Sequence, residues 1–408
     1  MKVLIISTVW VEPNSSAAGS RMLQLIRFFQ RQHYTIEYAS TAAPSEFAMD
    51  LSHINVPTRS VEVNSTSFDD FLKDWQPDMV LFDRFMTEEQ FGWRVRSICP
   101  RAVHILDTED LHCLRKAREA ARKKGTPDEL DLYTDEARRE VASIFRCDLS
   151  LMISEAEIDV LISDYSVSEK LLHYIPFLVD VDKATVGWNA FVQRSGFVSI
   201  GNFLHGPNWD ATLFLKQEIW PLIRKRLPNA ELNVYGAYPS QKVFDLHDEA
   251  NGFLVHGRAD DALKVISESK ILLAPLRYGA GQKGKLLDAF KTGTPSVTTT
   301  IGIEGMGTAN SWPGYVEDDP KRLADQAVAL YTDETDWMAS QSRIPEALNK
   351  FDQAHHEQSL LLRLEILFEN LEEERESNFI GSMLNYHTMR STEFMSRWIE
   401  EKNRNQSR

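Results

Sequence analysis

The 408-residue sequence predicts a two-domain α/β protein whose parallel sheets carry helices on both faces. Three observations predict it. Short apolar runs alternate with helix-length segments along most of the chain, which is the order of strand-crossover-strand units. The chain is too long for one simple core and suits two domains of about 150–200 residues each. The alternation of the N-terminal half is also repeated from about residue 196 to 335, without any short-period repeat or low-complexity tract.

In order, the first strand is read at 2–6, Lys2-Val3-Leu4-Ile5-Ile6, followed by the small-residue loop Pro13–Arg21 and a helix near 20–32. Further strands are expected at 34–40, 55–63, 78–83, 101–106 and 148–153, with helices near 87–98, 110–124, 128–145 and 155–164. A connection near 175–195 leads to a second set of strands that opens with Phe197-Val198-Ser199-Ile200. From about Ile344 to Glu376 the pattern is helical and ends in the acidic run Glu372–Glu376. The tail 379–408 spaces Met383, Leu384, Met389, Phe394, Met395, Trp398 and Ile399 in a loosely amphipathic pattern. It reads either as a packed or oligomer-forming helix or as a membrane-surface anchor. The expected domains are 1–185, 190–345 and a returning helical segment with its tail at 346–408.

Composition narrows the function. A 43% hydrophobic content is ordinary for a folded protein, and no stretch approaches the ~20 apolar residues of a membrane span. The N-terminus reads as a buried strand without a signal-peptide pattern, so a cytoplasmic protein is expected. A peripheral contact with the inner membrane surface stays open. Cys99, Cys113 and Cys147 are scattered and imply neither a disulfide framework nor a zinc site. A net charge of −15 disfavours nucleic acid as a partner.

The richest segment runs from Ala274 to Ala289 and reads as strand, glycine turn and helix start. Gly279, Ala280 and Gly281 form the turn, and their backbone N–H groups together with a helix N-terminus suit a phosphate or diphosphate. Arg277, Lys283 and Lys285 add full positive charge. The segment Arg-Tyr-Gly-Ala-Gly-x-Lys-Gly-Lys, Asp288-Ala289 and Gly293-Thr294-Pro295-Ser296-Val297-Thr298-Thr299 resembles the donor-binding segment of family 4 retaining glycosyltransferases. Upstream, Phe197–Phe203 with Gly206–Ala211, Glu231–Gly236 and Phe253–Arg258 resemble the other strands and turns of the same nucleotide-sugar domain, in the family's order.

The resemblance implies a GT-B fold, two doubly wound domains facing a cleft, with a C-terminal helix crossing back to the first domain. It implies that Asp288 holds the nucleotide ribose and that the turns at Gly236, His256 and Gly257 meet the nucleotide. Two departures matter. Ala280 stands where many members carry an acidic residue, which leaves donor-sugar contacts to the Gly279–Gly281 backbone. The arginine and lysine that many members place after the first two elements of this domain are missing, the region reading Asn202-Phe203-Leu204-His205-Gly206-Pro207, so the diphosphate falls to Arg277, Lys283 and Lys285.

On the acceptor side, Gly19, Ser20 and Arg21 lie where the family brings a loop toward donor phosphate and acceptor; Ser20 also reads as a plain N-cap. Asp107-Thr108-Glu109-Asp110-Leu111-His112-Cys113-Leu114-Arg115 resembles a family segment whose histidine lies near the transferring sugar. His112, Asp110 and Lys283 are therefore the expected catalytic residues, with Arg115 beside the acceptor. An ideal helix through this segment would send Asp110 and His112 to different faces. The acidic residues with His104 could suit Mg²⁺, but the resemblance implies positive side chains and helix dipoles in place of a metal, and no cofactor.

The expected activity is transfer of a sugar from a nucleotide-sugar donor to an acceptor hydroxyl, with retention, in glycan or glycolipid synthesis or on a small molecule. Two other readings stay open. One is a nucleotide-sugar epimerase of the same fold; the other is a non-catalytic carbohydrate-binding or scaffold protein. Oligomeric state is open.

Overall fold

The computed structural model describes residues 1–43 and 45–406, apart from the side chains of residues 388, 389 and 406. Seven strands form the first sheet: β1 (Lys2–Ser7), β2 (Thr35–Ser40), β3 (Thr58–Ser60), β4 (Met79–Asp83), β5 (Val103–Asp107), β6 (Leu149–Met152) and β7 (Leu172–Tyr174). Their spatial order is β3-β2-β1-β4-β5-β6-β7, every pair parallel. The second sheet holds β8 (Phe197–Ile200), β9 (Leu232–Tyr235), β10 (Phe253–Gly257), β11 (Ile271–Ala274), β12 (Ser296–Thr298) and β13 (Gly314–Val316). Its order, β10-β9-β8-β11-β12-β13, repeats that of the first. This is the GT-B architecture expected from the sequence.

Continuous apolar runs follow from burial on both faces. Leu4 and Ile6 pack with Val80, Phe82 and Leu106 on one side of the first sheet, while Val3 and Ile5 pack with Met79, Leu81 and Ile105 on the other. In the second domain Val234, Leu273 and Val297 serve one face, and Val198, Leu272 and Ala274 the other. Each sheet reverses its direction of growth once, between β1 and β4 and between β8 and β11. Such reversals open crevices at the carboxyl ends of the strands, which is where ligands bind in this class of fold.

Boundaries differ where tertiary pairing decides them. The strand expected at 55–63 shrinks to Thr58–Ser60 at the sheet edge, and the expected helix at 128–145 begins only at Asp135, where Thr134 accepts a cap bond from Ala137 N–H. The three-residue strand β7 carries no sequence signal of its own.

The C-terminal helices return to the first domain. Helix Gln353–Glu369 inserts Leu360, Leu364 and Leu367 into the first-domain core, and Arg31 pairs with Glu357. Arg375 then bonds Asp148 at 2.7 Å and the carbonyls of Pro100 and Ala102. The tail forms helix Phe379–Gln406, packed on helices Phe85–Ile98 and Asp135–Arg146. Its outer side exposes Phe379, Tyr386, Phe394 and Trp398. The side chain of Met389, read as part of the apolar pattern, lies outside the described residues. Among the described residues no helix is long and apolar enough to cross a membrane.

Candidate active site in the cleft between two crevices

In the second domain, the β8 end leads through Gly201 into helix Gly206–Phe214, and the β11 end leads through the 275–283 turn into helix Gly284–Lys291. The two connections meet at Lys285. Its Nζ donates to Asn208 Oδ1 at 2.7 Å, and a Cβ added at Gly201 would stand 2.8 Å from that Nζ. A side chain at 201 would thus displace the ammonium and the Asn208 amide from their present seats. Burial pulls Lys285 down from the ordinary lysine value to about 7. Asp288 lies three residues on, on the same half-exposed helix face, and bonds Lys291 at 3.2 Å.

The other two expected cations are otherwise engaged. Arg277 forms a two-toothed pair with Asp210, at 2.9 and 2.6 Å, and lies 4.5 Å over the Phe214 ring. The guanidinium expected on a diphosphate is held by the neighbouring helix instead. Lys283 is buried and turns its Nζ back onto the carbonyls of Gly281 and Ala280, the latter at 3.3 Å. It is the residue before the helix, and burial lowers its pKa against the pull of Glu304 and Glu157. Lys283 therefore braces the glycine turn, and Lys285 is the cation of this set seated in a turn that can receive an anion.

The remaining expected nucleotide contacts spread along the sheet edge. Gly236 abuts the Gly201 carbonyl, Gly257 lies beside Phe244, and His256 stacks on Tyr235 at 4.7 Å while bonding Asn233 at 2.7 Å. His256 is exposed.

The first-domain wall differs from the sequence expectation in one useful way. The helix carrying His112 begins at His112 itself, so Asp110 stands in the loop before it and not on a helix face. That loop position lets three groups converge. Asp110 accepts from Arg115 Nε at 2.6 Å and lies 3.3 Å from His112 Nε2, while the His112 ring packs edge-on against Phe85. Burial works against the charge on Asp110, but Arg115 and His112 outweigh it and hold the carboxyl below its usual range. Burial lowers His112 to about 4, so its ring is neutral at pH 7.

Arg84, just past β4, and Glu109, within the 108–111 loop, have φ of 69° and 64°. Left-handed backbone at non-glycine residues is strained, and here it turns the chain at the carboxyl edge of the sheet. Burial, with Asp107 and Asp83 nearby, pushes the Glu109 carboxyl well up.

The loop before helix Ala17–Arg31 also differs. Ser16 caps that helix by accepting from Gly19 N–H at 3.0 Å, whereas the Ser20 hydroxyl donates to Pro13 O. The N-cap expected at Ser20 is corrected to Ser16. Gly19 lies against the Glu12 backbone, and Arg21 is 1% exposed, paired with Asp107 at 2.8 Å. Arg21 is a core brace, and the loop reaches the second domain elsewhere: Asn202 donates to Ser15 O at 3.3 Å, and Tyr238 to Glu12 at 2.7 Å.

The two walls touch. Gly281, at φ 62°, brings its α-carbon so near the first domain that an added Cβ would stand 2.9 Å from the Asp110 Cβ. Glycine is required there on both counts. Arg118 donates to Gly279 O at 2.7 Å and pairs with Glu304, and Gly281 N–H donates to Glu157 at 2.7 Å. His205, which precedes helix Gly206–Phe214, is lowered to about 4 by burial and by Arg115, with Asp110, Lys285 and His112 among the groups it senses. His205 thus senses charges from both walls. Sequence reasoning missed His205, Glu157, Arg118 and Glu304, since each acts through a contact between distant segments. Among the described residues no group of three His, Cys, Asp or Glu side chains is arranged to hold a metal ion.

Comparison with known proteins gives the class of fold. Residues 194–333 match the family Glycosyl transferases group 1. The Anabaena HepE structure in complex with UDP and glucose superposes with a TM-score of 0.68 at 14% identity, covering 90% of this chain and 99% of that one. Sucrose-phosphate synthase from Thermosynechococcus elongatus gives 0.69 at 14%, covering 90% and 99%. A variant of S. aureus TarM in complex with Fondaparinux, α-GlcNAc-glycerol and UDP gives 0.69 at 10%, with the same coverage. Identities this low speak for the fold, which is GT-B.

A particular relative is a protein of the Klebsiella pneumoniae cps region, described as an uncharacterized 44.6 kDa protein. It is 28% identical over 136 residues, 32% of this chain and 35% of its own length. The match spans about a third of that relative.

Proposed function

We propose that the protein is a nucleotide-sugar-dependent glycosyltransferase of the family 4 type that transfers a sugar to an acceptor hydroxyl with retention of configuration. The observation that carries this reading is Lys285, seated in the Gly201 turn at the point where the second sheet reverses, opposite the Asp110–His112–Arg115 wall. The family match over 194–333 covers that turn and Lys285 together.

Departure of a nucleoside diphosphate builds negative charge on its leaving oxygen. A fixed cation and oriented backbone dipoles in a water-poor cleft stabilise such charge most strongly. Lys285 and the N-terminus of helix Gly284–Lys291 supply both. The sugar then lies toward His112, whose neutral ring can exchange hydrogen bonds with hydroxyls without adding positive charge beside an oxocarbenium-like centre. Asp288 holds the ribose, and no metal takes part in this scheme. UDP-sugars are the first donors to test, because HepE and the TarM variant were each captured with UDP.

The test is a differential scan of the full chain with nucleoside diphosphates and their sugars, followed by product analysis with each stabilising donor. A ligand at 100 times its Kd adds about 2.7 kcal/mol of stability, which is readily seen. Transfer of the sugar to an added glycan or glycolipid acceptor, with the donor's anomeric configuration kept, is the expected result. Release of an epimer without acceptor would identify the other enzymatic reading. Absence of any nucleotide effect would leave a carbohydrate-binding scaffold.

A further inference from the structure

Glu157 is the third residue of helix Glu155–Tyr165, which follows β6 at the carboxyl edge of the first sheet. Its side chain is fully buried. One oxygen, Oε1, accepts two backbone bonds: from Leu111 N–H at 2.8 Å and from Gly281 N–H at 2.7 Å. Leu111 is the residue before the helix that begins at His112, and Gly281 belongs to the glycine turn of the other domain. The second oxygen, Oε2, is buried without a hydrogen-bond partner among the described residues.

Burying a carboxylate beside Asp110 is costly, and the rest of helix Glu155–Tyr165 does not require it, since Leu161 and Ile158 supply its packing. Stability of the helix is therefore a poor reason for a glutamate here. The geometry offers another. Leu111 lacks a side chain that could cap its helix, so the orientation of the first turn, and with it the His112 ring, is set by acceptors on other elements: Glu140 for His112 and Cys113 N–H, and Glu157 for Leu111 N–H. Lys283 and Arg118 hold the glycine turn only through its carbonyls, and the Gly281 N–H is set by the same Glu157 atom.

We propose that Glu157 is a positioning residue that fixes the acceptor-side histidine helix and the donor-side glycine turn in register, one oxygen holding an amide of each. The inference rests on the reading that the 279–285 segment holds the donor. A movement of either amide is transmitted to the other through a single atom, so the bond pair forms only when the two walls stand at their working separation. Oε1 acts through hydrogen-bond acceptance and reach, and negative charge is secondary.

The experiment compares Glu157→Gln, Glu157→Asp and the packing control Ile158→Ala in the full chain. Melting temperature, calorimetric affinity for UDP, and kcat and donor KM with the donor found for the wild type are measured for each. Gln keeps an oxygen of the same reach without the charge; Asp keeps the charge and draws the oxygen back by one methylene. The expected result is kcat within threefold of wild type for Gln and at least tenfold lower for Asp, with UDP affinity changed by no more than threefold in either. Ile158→Ala should lower the melting temperature without lowering kcat.

An impaired Gln with an active Asp would make charge the operative property and overturn the proposal, as would equal activity or equal loss in the two variants. A kcat loss in Ile158→Ala matching that of Asp would reduce the effect to general loosening of the helix and overturn it too. Failure of the donor reading has a different signature: the wild type itself would bind no nucleoside diphosphate and transfer no sugar.

Discussion

In the proposed reaction Lys285 carries the largest functional weight of any single residue. Its ammonium is drawn down to about 7 by burial, so at pH 8 most of it is neutral before an anion arrives. A diphosphate favours the charged form, and binding must then take up a proton. The sign follows directly: donor affinity is greatest below pH 7 and weakens by up to tenfold per pH unit above it, until the bound-state pKa is reached. Calorimetry of UDP in buffers of different ionisation enthalpy between pH 6 and 8.5 measures both effects. Lys285→Met should weaken binding by tenfold to a hundredfold, the loss of a charge-assisted contact worth ~1.5–3 kcal/mol, and should abolish the proton uptake. His112→Ala, in contrast, should leave UDP affinity within a few-fold while lowering turnover at least tenfold, because the ring stands on the opposite wall. The sequence pointed to both residues through local pattern. It could not separate Lys285 from Arg277 or Lys283, because their difference lies in partners, Asp210 and the Gly281 carbonyl, that adjacency in sequence does not reveal.

Among the elements, helix His112–Lys124 shows how a functional helix is held without its own cap. Asp110 is occupied by Arg115 and His112, so the orphan N–H groups of the first turn go to the buried Glu140, at 3.0 and 2.7 Å, and to Glu157. Burial raises the Glu140 carboxyl to about 8. Its folded pKa exceeds the unfolded value, so between about pH 4.5 and 8 the folded state binds more protons and stability declines as pH rises. Glu140→Gln retains an acceptor and removes the titration. The variant should therefore lose less melting temperature than wild type between pH 5 and 8; an unchanged slope would remove Glu140 from the account. The strands were legible because double-sided burial writes continuous apolar runs into β1, β4 and β5. The edge strand β3 was legible only as an overlong run and β7 was not read, since three residues paired on one side leave little trace in composition.

In the whole molecule, the two crevices are joined by contacts that cross the cleft and by helices that return to the first domain. The sequence announced the second crevice through its glycine and lysine pattern, and the returning helix through its long helical period. It did not announce the crossing contacts Arg118–Glu304 and Glu157–Gly281, which join residues more than 120 positions apart. The returning segment should matter for stability and little for nucleotide affinity. Arg375→Ala leaves Asp148 with its charge and one fewer partner, and should cost ~1.5–3 kcal/mol in denaturant unfolding while UDP affinity stays within twofold. The proposed function requires that the cleft between the Gly201 turn and the Asp110 wall receive a nucleoside diphosphate. Titration of the full chain with UDP, ADP and GDP, in parallel with the Lys285→Met and Asp288→Ala variants and with inorganic pyrophosphate, tests this most directly. The predicted result is one site for at least one nucleoside diphosphate, weakened by Lys285→Met for both ligand types and by Asp288→Ala for the nucleotide but not for pyrophosphate. Nucleotide binding that both variants leave intact, or none by the wild type, would contradict it.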